Sequence, residues 1–188
     1  MRYKQLDQYS QRHLRGFTLL EVMVVVSILA VLAALAAPSF TSTIERWRVR
    51  QAVENMTSTM YFARSEAIKR GGNIGIQKND NGTDGCTLAV NKQEWSCGWF
   101  VFVDSNGNGA WVNGEEILQI IAPPSMINVM HNSGDKSIKV DRWGKMNGLN
   151  AEGFTFSPQP AGISSPATRG ICVASGGRIR VIEDVPCN

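Results

Sequence analysis

The sequence predicts an α+β protein in which one long N-terminal helix packs on antiparallel β-sheet. The first observation is an apolar run at residues 17–37, and the second is a set of apolar residues at helical spacing that continues it to Ala67. The third is a change of the apolar period to two residues after Gly71 and Gly72, a pair typical of a helix end. The 188 residues have room for one ordinary domain and an anchor.

The apolar run predicts a membrane span. It has 21 residues with Glu21 as its only charged side chain, and at 1.5 Å per residue this is about 30 Å of helix, the thickness of a bilayer core. The basic segment 1–16 predicts that the N-terminus stays in the cytoplasm while the rest of the chain is exported. A carboxylate within such a span is costly, so we expect Glu21 to have a partner.

A secretory signal peptide cleaved near residues 34–36, Ala-Leu-Ala, is the alternative interpretation of this run. Signal peptides usually have an apolar region of about 7–15 residues and no acid in it, which argues against this alternative. The helical pattern also continues past the run, and Pro38 predicts a bend or a membrane exit between the two halves. The continuing pattern consists of Phe40, Ile44, Trp47, Val49, Val53, Met56, Met60, Ala63 and Ala67.

Short apolar runs after Gly72 predict strands, and clusters of Asn, Asp, Gly and Ser predict the turns between them. The predicted strands are residues 74–76, 87–90, 99–103, 117–121, 127–130, 138–140, 154–156, 171–173 and 178–182. Residues 157–166 are rich in Pro and Ser and predict an irregular surface loop.

Residues 16–21, Gly-Phe-Thr-Leu-Leu-Glu, together with the apolar run and Pro38, resemble the type IV pilin superfamily. The resemblance implies that a prepilin peptidase cuts between Gly16 and Phe17 and methylates the new N-terminus. It also implies a role for Glu21 in assembly. The amine of Phe17 in one subunit can neutralise Glu21 of its neighbour, because an isolated charge in apolar surroundings is strongly disfavoured.

Two further segments, residues 61–71 and 98–118, are similar to the GspH/FimT group, which holds the FimT/FimU minor pilins and the H-type pseudopilins of type II secretion. The resemblance implies the type IV pilin fold. Its parts are a cleaved leader at 1–16, a transmembrane and assembly helix at 17–37, a periplasmic amphipathic continuation at 38–71 and a β-rich globular domain at 72–188. The implied function is that of a minor pilin assembled into a type IV pilus, in a tip or priming complex. The alternative is an H-type minor pseudopilin of a type II secretion system.

The implied partners are other major or minor pilins or pseudopilins, the prepilin peptidase, an inner-membrane assembly platform and inner-membrane lipid. The implied location is the inner membrane, crossed once, with the C-terminal domain in the periplasm, and then the pilus filament. No cofactor is expected. An enzyme is not expected either, because His131 is the only histidine after the leader and no Ser–His–Asp set, Cys–His set or phosphate loop is visible.

All four cysteines lie in the part of the chain that is predicted to be exported, where disulfides form and persist. Three pairings are possible, and we favour Cys86–Cys97 and Cys172–Cys187 because each pair brackets a short segment that can fold back as a hairpin. The spacing is not that of a zinc knuckle, so no metal is expected at these cysteines.

Residues 104–115 fit the twelve-residue calcium-loop pattern. Oxygen-bearing side chains stand at Asp104, Asn106 and Asn108, a glycine occupies the sixth position and Glu115 the twelfth. However, strands rather than the helices of an EF-hand are predicted on both sides, and Asn-Gly repeats between apolar strands are typical of a hairpin turn. We therefore favour a plain hairpin here, and calcium bound with modest affinity is the alternative.

The chain after the leader holds 15 basic and 15 acidic side chains, so any anion-binding site must be local. Residues 177–180, Gly-Arg-Ile-Arg, place Arg178 and Arg180 on one face of a predicted strand, and Arg169 is a candidate third charge. The segment resembles a C-terminal Gly-Arg-x-Arg motif of FimT-type pilins, which implies contact with phosphates of double-stranded DNA during uptake. The alternative is a solvated strand face whose arginines pair with Glu183 and Asp184.

Overall fold

The computed structural model describes residues 16–147, 152–174 and 176–187, without the side chains of residues 35–39. The chain divides into two compact units, Met1–Phe40 and Thr41–Asn188. One helix, α1, spans Leu19–Arg70 and contributes residues to both units. The predicted leader, apart from Gly16, lies outside the described residues.

The N-terminal unit presents its apolar helix side chains outward. Phe17, Leu19 and Leu20 are 75–82% exposed, and the large apolar residues from Val22 to Leu32 are about half exposed or more. Within the described residues, no helix is both long enough and apolar enough to cross a membrane. The last positions of the predicted span, residues 35–37, are among those whose side chains are not described, as is Pro38.

The long helix ends where the glycine pair predicts. Gly71 and Gly72 have φ values of 80° and 107°, in the left-handed region that favours glycine. The amide of Gly72 donates to the carbonyl of Ala67 at 2.7 Å, so a carbonyl of the last helical turn is satisfied by the residues that follow it.

The C-terminal half of α1 buries one face, which supplies the helical part of the core of the second unit. Its buried residues are Val49, Ala52, Val53, Met56, Met60, Ala63 and Ala67. The helix predicted from the apolar pattern is formed, but not all of the pattern is buried: Ile44 and Trp47 are 45% and 62% exposed. Within the second unit, the buried face of the helix starts at Val49.

In the described part of the chain, eight strands follow the helix and form two four-stranded antiparallel sheets. Sheet A has the order β3-β2-β1-β5 and sheet B the order β4-β6-β7-β8. The strands are β1 Ile74–Lys78, β2 Trp99–Val103, β3 Ile117–Ile121, β4 Ile127–His131, β5 Ser137–Val140, β6 Glu152–Pro158, β7 Arg169–Val173 and β8 Ile179–Ile182.

The inner faces of both sheets pack on the helix in one hydrophobic core. Sheet A contributes Ile74, Ile76, Trp99, Val101, Ile138 and Val140, and sheet B contributes Ile127, Val129, Phe154, Phe156, Ile171 and Val173. The segment before β2 joins the sheets, because the amide of Trp95 donates to the carbonyl of Val129 at 2.8 Å and the amide of His131 donates to that of Gln93 at 2.8 Å.

The outer face of sheet A is also buried, because the β2–β3 connection folds across it. Phe100 and Phe102 lie on this face, and Trp111 of the connection meets Phe100 edge-to-face with ring centroids 6.0 Å apart. The backbone amide of Trp111 donates to the side chain of Gln77 on β1 at 3.0 Å. This explains why strand β2 is apolar at every position instead of alternating.

The predicted strand at residues 87–90 is not formed. Leu88 and Val90 are 47% and 72% exposed, and the carbonyls of this region point to a buried ammonium instead of a neighbouring strand. Lys78 donates from Nζ to the carbonyls of Ala89 and Asn91, each at 2.7 Å, and to that of Glu94 at 3.1 Å. Burial lowers the pKa of Lys78.

Two disulfides close short segments of the second unit. Cys86 is bonded to Cys97 and Cys172 to Cys187, the pairing that the sequence favours. The second bond ties the end of the chain to strand β7 across the β7–β8 hairpin, as expected. The first encloses an irregular segment, because the strand expected at residues 87–90 is absent.

Candidate functional site

The start of helix α1 carries a capping arrangement that includes Glu21. Thr18 precedes the first helical residue, and its Oγ1 accepts a hydrogen bond from the backbone amide of Glu21 at 3.2 Å. Thr and Glu three residues apart at a helix start form the capping-box pattern, and a carboxylate in the first turn is favoured by the helix dipole. Glu21 is exposed, as are Gly16 and Phe17 before it. The carboxylate is therefore positioned at the helix start and accessible to a second chain.

Arg178 and Arg180 lie on the β7–β8 hairpin at the edge of sheet B. The amide of Ala174 donates to the carbonyl of Arg178 at 3.0 Å, and Arg180 is paired with Cys172, so both arginines belong to the same ladder and face the same side. Both side chains are exposed, and among the described residues neither makes an ion pair or a side-chain hydrogen bond. The pairing with Glu183 or Asp184 that the sequence left open is therefore not observed.

Arg169 does not join this pair. Side chains alternate along a strand, so Arg169 lies on the same face of the sheet as Ile171, whose side chain is in the core. Arg180 is paired with Cys172 and therefore lies on the opposite face. Its Nη2 contacts Glu183 Oε1 at 3.0 Å, and its Nη1 donates to the carbonyls of Pro166 and Thr168. The suggestion of a third charge beside Arg178 and Arg180 is corrected on this ground.

Arg64 of helix α1 holds the turn that carries the arginine pair. Its Nη1 donates to the carbonyl of Gly177 at 2.6 Å, although the two residues are 113 positions apart. Gly177 has φ 78°, and a Cβ there would lie only 3.2 Å from Arg64 Cζ and 3.3 Å from the carbonyl oxygen of Gly144. The turn therefore favours a glycine where it packs against the helix. The contact with Arg64 holds the backbone in place directly before Arg178.

The calcium-like loop at residues 104–115 is the connection between β2 and β3, which are paired antiparallel, so the loop joins the two strands of a hairpin. Its side-chain oxygens fold back on its own backbone. Asp104 Oδ2 accepts from the amide of Gly109 at 2.9 Å, Asn106 from that of Asn108 at 2.8 Å, and Asn108 from that of Ala110 at 2.7 Å. Among the described residues, no three His, Cys, Asp or Glu side chains are grouped as a metal site.

His131 is buried in a polar cluster on the inner side of sheet B. Its Nε2 lies 2.5 Å from Glu152 Oε2, and its ring stacks on Phe154 at 4.5 Å. Glu152 also accepts hydrogen bonds from Ser133 at 2.8 Å and Asn147 at 2.7 Å. Ser133 bonds to the glutamate and not to the imidazole, so the group does not have the order of a nucleophile–base–orienter set. Its role is structural: the buried carboxylate of Glu152 is satisfied by hydrogen bonds from its neighbours.

The sequence analysis missed the roles of two residues, Thr18 and Arg64. The cap formed by Thr18 could have been predicted, because Thr-x-x-Glu is the spacing of a capping box. Nothing in the sequence points to Arg64 as the support of Gly177, since the contact joins segments that only the fold brings together.

Comparison with known proteins assigns the chain to a family. A profile described as "Type II transport protein GspH" matches residues 52–177, and one described as "Prokaryotic N-terminal methylation motif" matches residues 11–37. The pilin-like protein PilA1 of Thermus thermophilus is 34% identical over 102 residues, which are 54% of this chain and 56% of that protein. The chain thus matches little more than half the length of this relative.

Two crystal structures of the type IV minor pilin FimU from Pseudomonas aeruginosa share the fold. Their TM-scores are 0.52 and 0.54 at 17% and 18% identity, and they cover 70% and 73% of this chain and 90% of FimU. A likeness at this identity establishes the fold, which is the type IV pilin fold. Family and fold are those of structural subunits that assemble with other pilins or pseudopilins, and the family implies a membrane-anchored N-terminal helix with an extracellular or periplasmic domain. The chain belongs to the GspH family, carries the N-terminal methylation motif and has the type IV pilin fold.

Proposed function

We propose that this chain is a minor pilin of a type IV pilus, inserted once in the inner membrane with its β-rich domain in the periplasm and then assembled into the filament at or near the tip. A prepilin peptidase cuts between Gly16 and Phe17 and methylates the amine of Phe17. The inner-membrane assembly platform and the neighbouring pilins are its partners. Residues 17–37 are the transmembrane and assembly segment.

One observation carries this proposal: an exposed apolar half-helix that begins with Phe17 and holds a single capped acid, Glu21. After cleavage, the new amine is a cation beside the positive end of the helix dipole, which is unfavourable. The Glu21 carboxylate of an adjacent subunit relieves this charge when the helices pack side by side. The pairing therefore favours assembly over the isolated subunit.

An H-type minor pseudopilin of a type II secretion system is the second candidate. The description of the matched family profile, a type II transport protein, favours it. Its subunit mechanism is the same, so the two candidates differ in the partner set. Co-purification of the cross-linked chain with pilus subunits supports the pilus assignment, whereas co-purification with secretion pseudopilins supports the second candidate.

The assembly mechanism is tested by removing one charge. Glu21→Gln keeps the size of the side chain and its apolar surroundings, so insertion and cleavage should be unchanged while incorporation into filaments is lost. Glu54→Gln, an exposed glutamate of the same helix, is the matched control and should incorporate normally. Mass spectrometry of the membrane form should give an N-methylated Phe17 as the first residue. A mature N-terminus near Ala37, or normal incorporation of Glu21→Gln, contradicts the mechanism.

The same subunit is proposed to contact double-stranded DNA through Arg178 and Arg180. The support is geometric: two guanidinium groups without an ion-pair partner among the described residues project from one face of an edge hairpin, and such a pair can bind phosphate oxygens. Because the contacts are to phosphates, binding is independent of sequence and weakens with salt, and because they are few, it is weak.

Labelled DNA titrated into the purified full chain in detergent, at two salt concentrations, tests this contact. Arg178→Ala with Arg180→Ala should abolish most of the binding, and replacement of both by Lys should retain part of it. Arg169→Ala is the matched control, because it removes the same charge from the opposite face of the sheet. Equal affinity of the wild type and the double alanine variant eliminates the site.

A further inference from the structure

Asp104 is one of three described residues with a buried side-chain oxygen that has no hydrogen-bond partner; the other two, Thr57 and Gln119, are uncharged. The side chain of Asp104 is 3% exposed. Oδ2 accepts a hydrogen bond from the amide of Gly109, whereas Oδ1 is buried and has no hydrogen-bond partner among the described residues. An unsatisfied buried carboxylate oxygen is costly, and a bound cation is one of the few groups that can satisfy it.

The other candidate ligands of the loop accept hydrogen bonds from its own backbone. The side-chain oxygens of Asn106 and Asn108 each accept from a backbone amide two residues ahead. Glu115 Oε1 accepts from the amide of Ser105 at 2.9 Å, and Glu115 Oε2 accepts from that of Val112 at 3.0 Å. The twelfth position of the pattern is thereby tied to the residue that follows the first, which a loop with ligands at both positions requires.

The neighbourhood of the loop is already attractive to positive charge. The ammonium group of Lys139 on β5 donates a hydrogen bond to the carbonyl of Gly107, and its Nζ lies 3.9 Å from Asp104 Oδ2. A cavity of about 560 Å³ opens beside it, lined by Asp104, Gly107, Lys139, Asp135 and Asp141 among others. Three of these residues are aspartates, so the local field favours a cation.

We infer that the loop 104–115 is a calcium site, with Asp104 Oδ1, the amide oxygens of Asn106 and Asn108, backbone carbonyls and Glu115 as its ligands. Oxygen ligands of mixed type in a loop of this length suit Ca²⁺, whereas Mg²⁺ demands tighter octahedral geometry and gives up its water reluctantly. Two carboxylates place the dissociation constant on the order of 0.1–1 mM, the range of extracellular calcium modules. The ion would fasten the connection that covers Phe100 and Phe102.

Calorimetric titration of the purified full chain in detergent with CaCl₂, after removal of divalent ions with EDTA, tests the site. The expected result is one Ca²⁺ per chain in the wild type and a rise of Tm with Ca²⁺ that MgCl₂ at the same concentration does not reproduce. Asn106→Asp keeps a side-chain oxygen as acceptor and adds a negative charge, so the affinity of this variant for Ca²⁺ should rise on the order of tenfold. Lys139→Met removes the competing ammonium and should also strengthen binding.

Loss-of-function variants complete the test. Glu115→Gln should weaken Ca²⁺ binding at least about tenfold, since a bidentate carboxylate is lost. Glu116→Gln, an exposed glutamate one residue outside the pattern, is the matched control and should bind as the wild type does. The inference is overturned if neither the wild type nor Asn106→Asp binds Ca²⁺ at concentrations up to about 10 times the expected dissociation constant. It is also overturned if Glu115→Gln binds Ca²⁺ as tightly as Glu116→Gln does.

Discussion

Glu152 is the residue on which the buried charge network depends. Burial by itself raises the pKa of Glu152, but hydrogen bonds from His131, Asn147 and Ser133 together outweigh it and leave the pKa below its usual range. A carboxyl with a pKa lowered by folding stabilises the native state above its unfolded pKa of 4.5 and loses that contribution as the pH falls through its folded pKa.

Replacing Glu152 by Gln should therefore change the pH dependence of stability. At neutral pH the variant should be less stable by about 1–3 kcal/mol, because three donors lose a charged acceptor. Below pH 4.5 the difference from the wild type should start to shrink, because the carboxyl is protonated in the unfolded chain, and it should vanish as the pH falls through the lower pKa of Glu152 in the folded protein. Urea unfolding between pH 3 and 7 measures the difference, with Glu54→Gln as the exposed control. A difference that stays constant with pH would show that Glu152 does not titrate with folding.

Gly98 offers a second prediction at this scale. It has φ 82°, and a Cβ there would lie 2.3 Å from the carbonyl oxygen of Ile121. Gly82 has φ 94° but open space around it. Gly82→Ala should cost about 1–2 kcal/mol from the left-handed backbone alone, and Gly98→Ala should cost clearly more because backbone must also move. Thermal unfolding of both variants checks this, and equal losses would contradict the steric argument.

At the scale of elements, the β7–β8 hairpin is fastened at both ends. Arg64 holds its turn through Gly177, and the Cys172–Cys187 bond holds the chain that leaves β8. Strand β8 is an edge strand with half-exposed residues, so it buries little apolar surface of its own. Its position therefore depends on these two attachments.

Replacing both Cys172 and Cys187 by Ser should lower the free energy of unfolding by about 3 kcal/mol, the chain-entropy value for a loop of this length. The expected consequence for the hairpin is local, so amide hydrogen exchange in β8 should accelerate far more than in β6. The same comparison for Arg64→Ala should show faster exchange at residues 177–180. Unchanged exchange in β8 in both variants would show that sheet pairing alone holds the hairpin.

At the scale of the whole molecule, apolar surface remains outside the core at the start of the second unit. Ile44 and Trp47 are exposed although they continue the apolar pattern of the helix, and Trp47 borders a cavity lined by Pro123 and Pro124. An exposed apolar pattern on a subunit that assembles with its relatives is expected to lie between subunits.

Trp47→Ser should accordingly leave the stability of the isolated chain within about 0.5 kcal/mol of the wild type. Its incorporation into filaments should fall, because the contact surface is lost. Immunoblotting of sheared filaments, compared with membranes, measures incorporation, and Tyr61→Ser, which is 53% exposed on the same helix, is the control. A large loss of Tm in Trp47→Ser would place this residue in the fold instead of the assembly.

The sequence by itself predicted the helix end at Gly71 and Gly72 and every strand that the described residues form, and of three possible cysteine pairings it favoured the observed one. These features depend on local chemistry: glycine accepts positive φ, short segments bring cysteines together, and alternating apolar residues pair into sheets. The prediction of a strand at residues 87–90 was wrong; there the carbonyl of Ala89 accepts a hydrogen bond from the buried ammonium of Lys78 instead of pairing with a neighbouring strand.

Only the tertiary structure decided which side of a strand meets which partner. It placed Arg169 on the face opposite Arg180, connected Arg64 to Gly177 and left Ile44 and Trp47 exposed. It also left Asp104 Oδ1 buried without a hydrogen-bond partner among the described residues, which makes the loop pattern a testable cation site. The physical reason is common to these cases: a periodicity defines the faces of an element, whereas the packing of distant elements decides what covers each face.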